Sequence, residues 1–262
     1  RPTTPPTKRP DPAPARPPPT SMASFPPHWT IARHGALTAL ADGLWTVDAE
    51  LSSLPIGRRM TLVRLPDGGL AVHSAVACDD ATMAAIDRLG PVRFVIVPSG
   101  FHRLDAPAFA ARYPDARIVT TAASRARVGR RVDVHGDYGL VPGGDLLSFE
   151  PLDGLPAEAV FVHRAPDGSE TLVFNDGFMN LPASLPGFKG WLVKLMGSTG
   201  GPKVTRTARL ALVKDRRAYA DHLRRLAARP RLARVVPGHG AVIVDGAAAA
   251  LVRAADGLHR GG

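Results

Sequence analysis

One hairpin signature in each half of the chain constrains its fold more than any other feature. In the first half, Arg59-Met60-Thr61-Leu62-Val63-Arg64-Leu65 runs into Pro66-Asp67-Gly68-Gly69 and returns as Leu70-Ala71-Val72-His73. Two apolar runs around an Asp-Gly turn predict an antiparallel pair. In the second half, Ala159-Val160-Phe161-Val162-His163 turns through Pro166-Asp167-Gly168 and returns over 171–175. An earlier strand is expected over 44–51. After the first hairpin, residues 79–89 place Met83, Ile86 and Leu89 at helical spacing, and Gly90-Pro91 ends the helix. Residues 92–97 then read as an almost wholly apolar, buried strand. A helix over 106–113, a strand over 116–120, a helix over 216–228, a strand over 232–236 and a helix over 247–258 complete the pattern. This order predicts an α/β (α+β) chain folded as an αββα sandwich, two mixed β-sheets packed face to face and flanked by helices.

Composition sets the boundaries. A hydrophobic share of 45% in 262 residues supports a substantial core. No apolar run approaches the roughly 20 residues of a membrane-spanning helix, and no secretory apolar stretch opens the chain. A single cysteine, Cys78, excludes an intrachain disulfide framework and a cysteine-rich zinc module, and reads as a small core residue. A cytoplasmic location is the expectation. Residues 1–27 hold 11 of the 26 prolines and few large apolar side chains, so they are expected to form a disordered basic tail ahead of a single domain over 28–262. The net charge of +10 is spread over the chain. Its densest cluster, Arg125, Arg127, Arg130 and Arg131, is not interleaved with the aromatic residues that stack on bases, which argues against nucleic acid as a partner. Such a surface suits an anionic small-molecule substrate better.

Two strand-end loops carry the chemistry. Arg234-Val235-Val236-Pro237-Gly238-His239-Gly240 reads as a short strand, a tight turn and a histidine. Leu172-Val173-Phe174-Asn175-Asp176-Gly177 has the same form with a carboxylate at its tip. Loops just past strand ends are where rigid scaffolds hold reactive groups. An imidazole and a carboxylate delivered that way are suited to one metal ion.

With this element order, the chain resembles the metallo-β-lactamase-fold superfamily, and within it a branch labelled as a domain of unknown function of the DUF4336 type. The likeness rests on the hairpin from Met60 to His73, the strand and loop from Val92 to Asp105, Asn175-Asp176-Gly177, and Val236-Pro237-Gly238-His239-Gly240. It implies a metal site along one edge of the sandwich, where loops of both halves meet. The superfamily's main ligand motif, His-x-His-x-Asp-His, is reduced here to Pro98-Ser99-Gly100-Phe101-His102-Arg103-Leu104-Asp105. Only His102 and Asp105 could ligate, and the register is ambiguous: one alignment puts His102 at the second histidine and Asp105 at the third, while the ungapped one puts His102 at a non-ligand position. The next ligand histidine of the superfamily falls near Asp153-Gly154-Leu155-Pro156, which has none. The resemblance therefore implies a divalent ion, one at most, held by His102, Asp176 and His239, with His73 as a further ligand from the hairpin end. Zinc is the first expectation, iron or manganese the alternatives.

Such a site would hydrolyse an ester, lactone, thioester, amide or phosphodiester, with Asp105 orienting the water or accepting its proton. Each residue also has a plain structural use. His239 can cap a turn, Asp176 can be a turn residue, Asp105 can be a helix N-cap, and His73 can pack at the core rim. The alternative function is a non-catalytic protein of the same fold binding a small anionic ligand or a protein partner, and the third is nucleic-acid processing. The apolar, cationic segment 186–201 is open to four readings: a substrate lid, an oligomer contact, a membrane-surface helix, or ordinary packing on the sandwich.

Overall fold

Alternation of side chains along the strands sorts the core into three layers. The structure, a computed structural model, describes residues 28–259, so the expected tail over 1–27 lies outside the described residues. One sheet runs in the order β1 (Thr38–Ala41), β2 (Leu44–Leu51), β3 (Leu54–Arg64), β4 (Leu70–His73), β5 (Val92–Val97) and β6 (Arg117–Thr120). Its first four strands form an antiparallel meander, and β4, β5 and β6 are parallel. The other sheet has the order β12 (Leu232–Val236), β9 (Glu170–Val173), β8 (Ala159–Arg164) and β7 (Leu147–Pro151), with β12 parallel to β9 and the remaining pairs antiparallel. Both are mixed sheets, as the sequence pattern requires.

In the first sheet Met60, Leu62, Val72 and Val95 face outward. They meet Met83 and Ile86 of α1 (Asp80–Leu89) and Phe109 of α2 (Ala106–Arg112). Their neighbours Val63, Ala71, Phe94 and Ile96 face inward, against Leu147, Phe161, Val173 and Val236 of the second sheet. The outer side of that sheet offers Val160, Val162 and Leu172 to Tyr219 and Leu223 of α6 (Arg216–Ala227) and to Leu251 and Ala254 of α7 (Ala247–His259). The layers are therefore helix, sheet, sheet, helix, with the shorter α3 (Arg125–Val128), α4 (Gly187–Leu195) and α5 (Arg206–Ala211) in the connections between strands. Phe161 sits at the centre of the inner layer between Phe149 and His73, with ring centroids at 5.6 and 6.1 Å.

Both hairpin turns use the same chemistry. The Asp67 carboxylate accepts from Gly69 N at 2.9 Å, and Asp167 from Ser169 N at 2.8 Å. Cys78 is fully buried, and burial pushes its thiol up to about 12, with Asp79 adding to the effect. It is a core residue, not a nucleophile. β3 begins earlier than the apolar pattern predicts, because Pro55 and Gly57 hide the strand signal over 54–58; Leu54 pairs with Leu51 and Arg58 with Ala49. That extension brings Gly57, Arg58 and Arg59 to the edge where the candidate residues gather. No helix among the described residues is long and apolar enough to cross a membrane.

Candidate metal centre

Four chain segments leave the carboxyl ends of parallel strands at one edge of the sandwich: after β4, β5, β9 and β12. His102, Asp176 and His239 come from the last three, and one ligand atom of each lies within 4.8 Å of the others. Asp176 Oδ1 stands 3.1 Å from His102 Nε2 and 3.1 Å from His239 Nε2, and the two Nε2 atoms are 3.2 Å apart.

The orientation of the rings is fixed from behind. His239 Nδ1 lies 2.6 Å from the Gly57 carbonyl. A carbonyl only accepts, so Nδ1 carries the proton and a neutral ring turns its Nε2 lone pair towards Asp176. His102 Nδ1 meets Ser74 Oγ at 2.9 Å. Ser74 Oγ can donate or accept, so His102 Nε2 donates to Asp176 in one tautomer and faces it as an acceptor in the other; in the second, three acceptor atoms converge with no donor among them. Such an arrangement is repulsive unless a cation, a proton or a metal ion, sits between them. Burial raises the Asp176 carboxyl, but when the two imidazoles carry the proton their charges and hydrogen bonds, those of His102 first, more than offset this and hold it well below the usual carboxylate range. The set therefore presents one anionic oxygen and two imidazole nitrogens, a donor set suited to a divalent ion.

The Asp176 loop is held from below. Glu158, buried at the head of β8, accepts from Gly177 N at 2.9 Å, Asp176 N at 3.2 Å and Asn175 Nδ2 at 3.2 Å. Burial, and then the nearby Asp176 charge, push its pKa up to about 8. Tyr219 Oη donates to the Gly177 carbonyl at 3.0 Å. The His239 loop is clasped by β10 (Met179–Leu181): Asn180 N donates to His239 O, and Ala241 N to Asn180 O. Gly240 has φ of 89°, and an added Cβ would lie 1.9 Å from Asn180 O, so a glycine is required there.

The other expected residues stand apart from this trio. Asp105 precedes α2 but makes no side-chain cap; its Oδ2 accepts from Ala77 N at 2.9 Å and pairs with Arg58 at 2.7 Å. His73 is buried between the sheets against Phe161, and burial, aided by His102, pulls its pKa down to about 3. Sequence reasoning missed Ser74, the carbonyl of Gly57, Glu158 and Tyr219. Of these only Glu158 left a signal, a carboxylate heading the all-apolar run Val160-Phe161-Val162.

The solved structures most informative for this architecture share little sequence with it. The metallo-β-lactamase FIM-1 from Pseudomonas aeruginosa, in its mono-zinc form, superposes with a TM-score of 0.56 at 14% identity, over 87% of this chain and 96% of that one. The chain has the metallo-β-lactamase fold. VMB-1 gives a TM-score of 0.59 at 12% identity, over 88% of this chain and 100% of its own. A metallo-β-lactamase from Pontibacter korlensis gives 0.56 at 13%, over 84% and 98%. Residues 41–124 match the family described as "Domain of unknown function (DUF4336)". A search of curated proteins finds no match. The DUF4336 stretch of this metallo-β-lactamase-fold chain contains His73, His102 and Asp105, while Asp176 and His239 come from beyond it.

Proposed function

We propose that this chain is a metal-dependent hydrolase with a mononuclear centre held by His102, Asp176 and His239. The reading rests on one observation above all, the convergence of two imidazole nitrogens on Asp176 Oδ1 at 3.1 Å each, with both rings braced from their far sides. Three protein ligands and one open position are the usual composition of a catalytic zinc site. The fold neighbour FIM-1 was captured in a mono-zinc form, which supports one ion as sufficient in this architecture. When bound, such an ion supplies Lewis acidity and lowers the pKa of water from about 15.7 to about 7.

The protein's own part is orientation. Gly57 O and Ser74 Oγ set the imidazole planes, and Glu158 and Tyr219 fix the Asp176 loop. Partners of this kind change metal affinity or activity by about 10–100-fold when removed. Asp105, bound by Arg58 and Ala77 N, serves in this reading to join β3 to the loop after β5, and His73 fills the inner core beside the site. The substrate in this reading is an ester, lactone, amide or phosphodiester; the neighbouring cavity of about 270 Å3, with Ala49, Ile56 and Ala241 beside Asp48, Arg58 and Arg59, touches none of the three candidate ligands.

Elemental analysis of protein purified without chelator is the deciding experiment. Near-stoichiometric zinc, iron or manganese, absent from a His239→Ala/Asp176→Ala double variant that still folds, is the expected result. Metal-free protein after gentle purification and failed reconstitution overturns the hydrolase reading and leaves the non-catalytic ligand-binding one.

A further inference from the structure

The helix α4 (Gly187–Leu195) presents the wrong face to water. At about 3.6 residues per turn, Phe188, Trp191, Leu192 and Leu195 form a single stripe at spacings of three and four. In an ordinary surface helix that stripe faces the core. Here its members are exposed: Phe188 by 74%, Trp191 by 55%, Leu192 by 41% and Leu195 by 63%. Phe188 and Trp191 stack on each other at 5.6 Å. The helix instead rests on its small side, Gly190 and Val193. Gly190 allows this, since a Cβ there would lie 2.3 Å from Leu185 O. The inverted seat is thus built into the sequence.

Charge around the stripe is of one sign. On the same helical projection Lys189 and Lys194 fall on opposite flanks of the stripe. From Gly177 to Lys214 the chain contains no Asp or Glu, while it carries Lys189, Lys194, Lys203, Arg206, Arg209 and Lys214. An exposed aromatic and aliphatic stripe straddled by lysines is the composition that seats a helix in the headgroup region of an anionic bilayer. Symmetric docking of a second copy through this face fits less well, because it would bring the same cations together with no carboxylate in that stretch to answer them.

We infer that α4 attaches this protein peripherally to anionic lipid surfaces, with Phe188, Trp191, Leu192 and Leu195 entering the interface and Lys189 and Lys194 meeting the headgroups. The inference is independent of the metal centre. Of the readings of segment 186–201 it takes up the membrane-surface helix.

The test is co-sedimentation of the full chain with vesicles of phosphatidylcholine alone and of phosphatidylcholine mixed with phosphatidylglycerol. Expected is binding to the mixed vesicles that weakens with added salt, and little binding to the neutral ones. A Phe188→Ser/Trp191→Ser/Leu195→Ser variant changes only exposed positions, so its melting temperature should be kept while its vesicle affinity falls at least about tenfold. Lys189→Glu/Lys194→Glu should weaken binding to the mixed vesicles alone. Since residues 1–27 are also basic, the serine variant is the decisive arm: unchanged binding would assign the effect to charge elsewhere and overturn the inference. Absence of vesicle binding by the parent chain overturns it as well. So does a dimer in sedimentation velocity that the serine variant abolishes without any vesicle binding.

Discussion

At Ser74 the backbone and the side chain carry separate demands. It is the only non-glycine residue described with a positive φ, 57°, and its Oγ meets His102 Nδ1 at 2.9 Å. A left-handed conformation costs an L-residue about 1 kcal/mol or more, and such strain gathers at functional sites. Glycine would remove the strain, yet serine alone supplies the hydroxyl. Two substitutions separate these effects. Ser74→Gly should leave stability unchanged or raise it by up to about 1 kcal/mol, while Ser74→Ala keeps the strain and gains nothing. Both should weaken metal binding by about 10–100-fold, because both free the His102 ring to rotate. Denaturant unfolding of metal-free protein and competition against a chelator measure the two quantities. Parental metal affinity in Ser74→Gly would show that the hydroxyl is dispensable.

Among the elements, β3 connects the two loops that carry the histidines. Arg58 pairs with Asp105 in the loop after β5, with both side chains about nine-tenths buried. Arg59 grips Asp48 through Nε and Nη2 at 2.6 and 3.0 Å and donates from Nη1 to the Pro237 carbonyl at 2.7 Å. Breaking a buried pair leaves an uncompensated charge, so Asp105→Ala should cost about 3–5 kcal/mol. Adding Arg58→Met should recover most of that loss, and the double variant should keep metal stoichiometry. Denaturation midpoints together with elemental analysis check this; a stable Asp105→Ala with unaltered metal content but no turnover would instead restore a catalytic role to Asp105. The elements themselves were legible where the signal is local. Both hairpins, α1, β5, α6, β12 and α7 lie within a few residues of their expected bounds, because alternation and helical spacing are properties of adjacent residues. β10 was not legible, since a three-residue strand exists only through its pairing with β11 (Gly201–Lys203) and the His239 loop. The orientation of α4 was hidden for a related reason, as a stripe announces a helix but not the side on which it rests. Within the site, the strand-tip form marked Asp176 and His239, whereas their braces Gly57, Ser74 and Glu158 act across long sequence separations that no local pattern encodes.

For the molecule as a whole, two buried titratable groups give stability opposite dependences on pH. His73, inside the sandwich, has its pKa lowered from 6.5 to about 3 by burial, with His102 adding to the effect. Below pH 6.5 the unfolded chain takes up a proton that the folded one refuses, so stability falls as pH drops from 6.5 towards 3. Glu158 has its pKa raised from 4.5 to about 8 by burial, then by the Asp176 charge. Between pH 4.5 and 8 the folded chain keeps a proton that the unfolded one has released, so this contribution falls as pH rises through that window. Each limb has a limiting slope of about 1.4 kcal/mol per pH unit. Where the windows overlap, from 4.5 to 6.5, the slopes oppose each other, and these two groups give metal-free protein a plateau with a loss on either side. Removing one group should reduce one limb and leave the other. Glu158→Gln removes the titration and should flatten the decline above pH 6.5, at some cost to the Asp176 loop because its amide nitrogen cannot accept from the N–H group it would face. His73→Asn should make the acid limb shallower without removing it, because His163, also lowered by burial, contributes in the same direction; the smaller side chain beside Phe161 has its own cost. Urea midpoints of metal-free protein collected from pH 4 to 8.5 test this directly, and an alkaline limb that survives Glu158→Gln would place its origin outside the buried carboxyl.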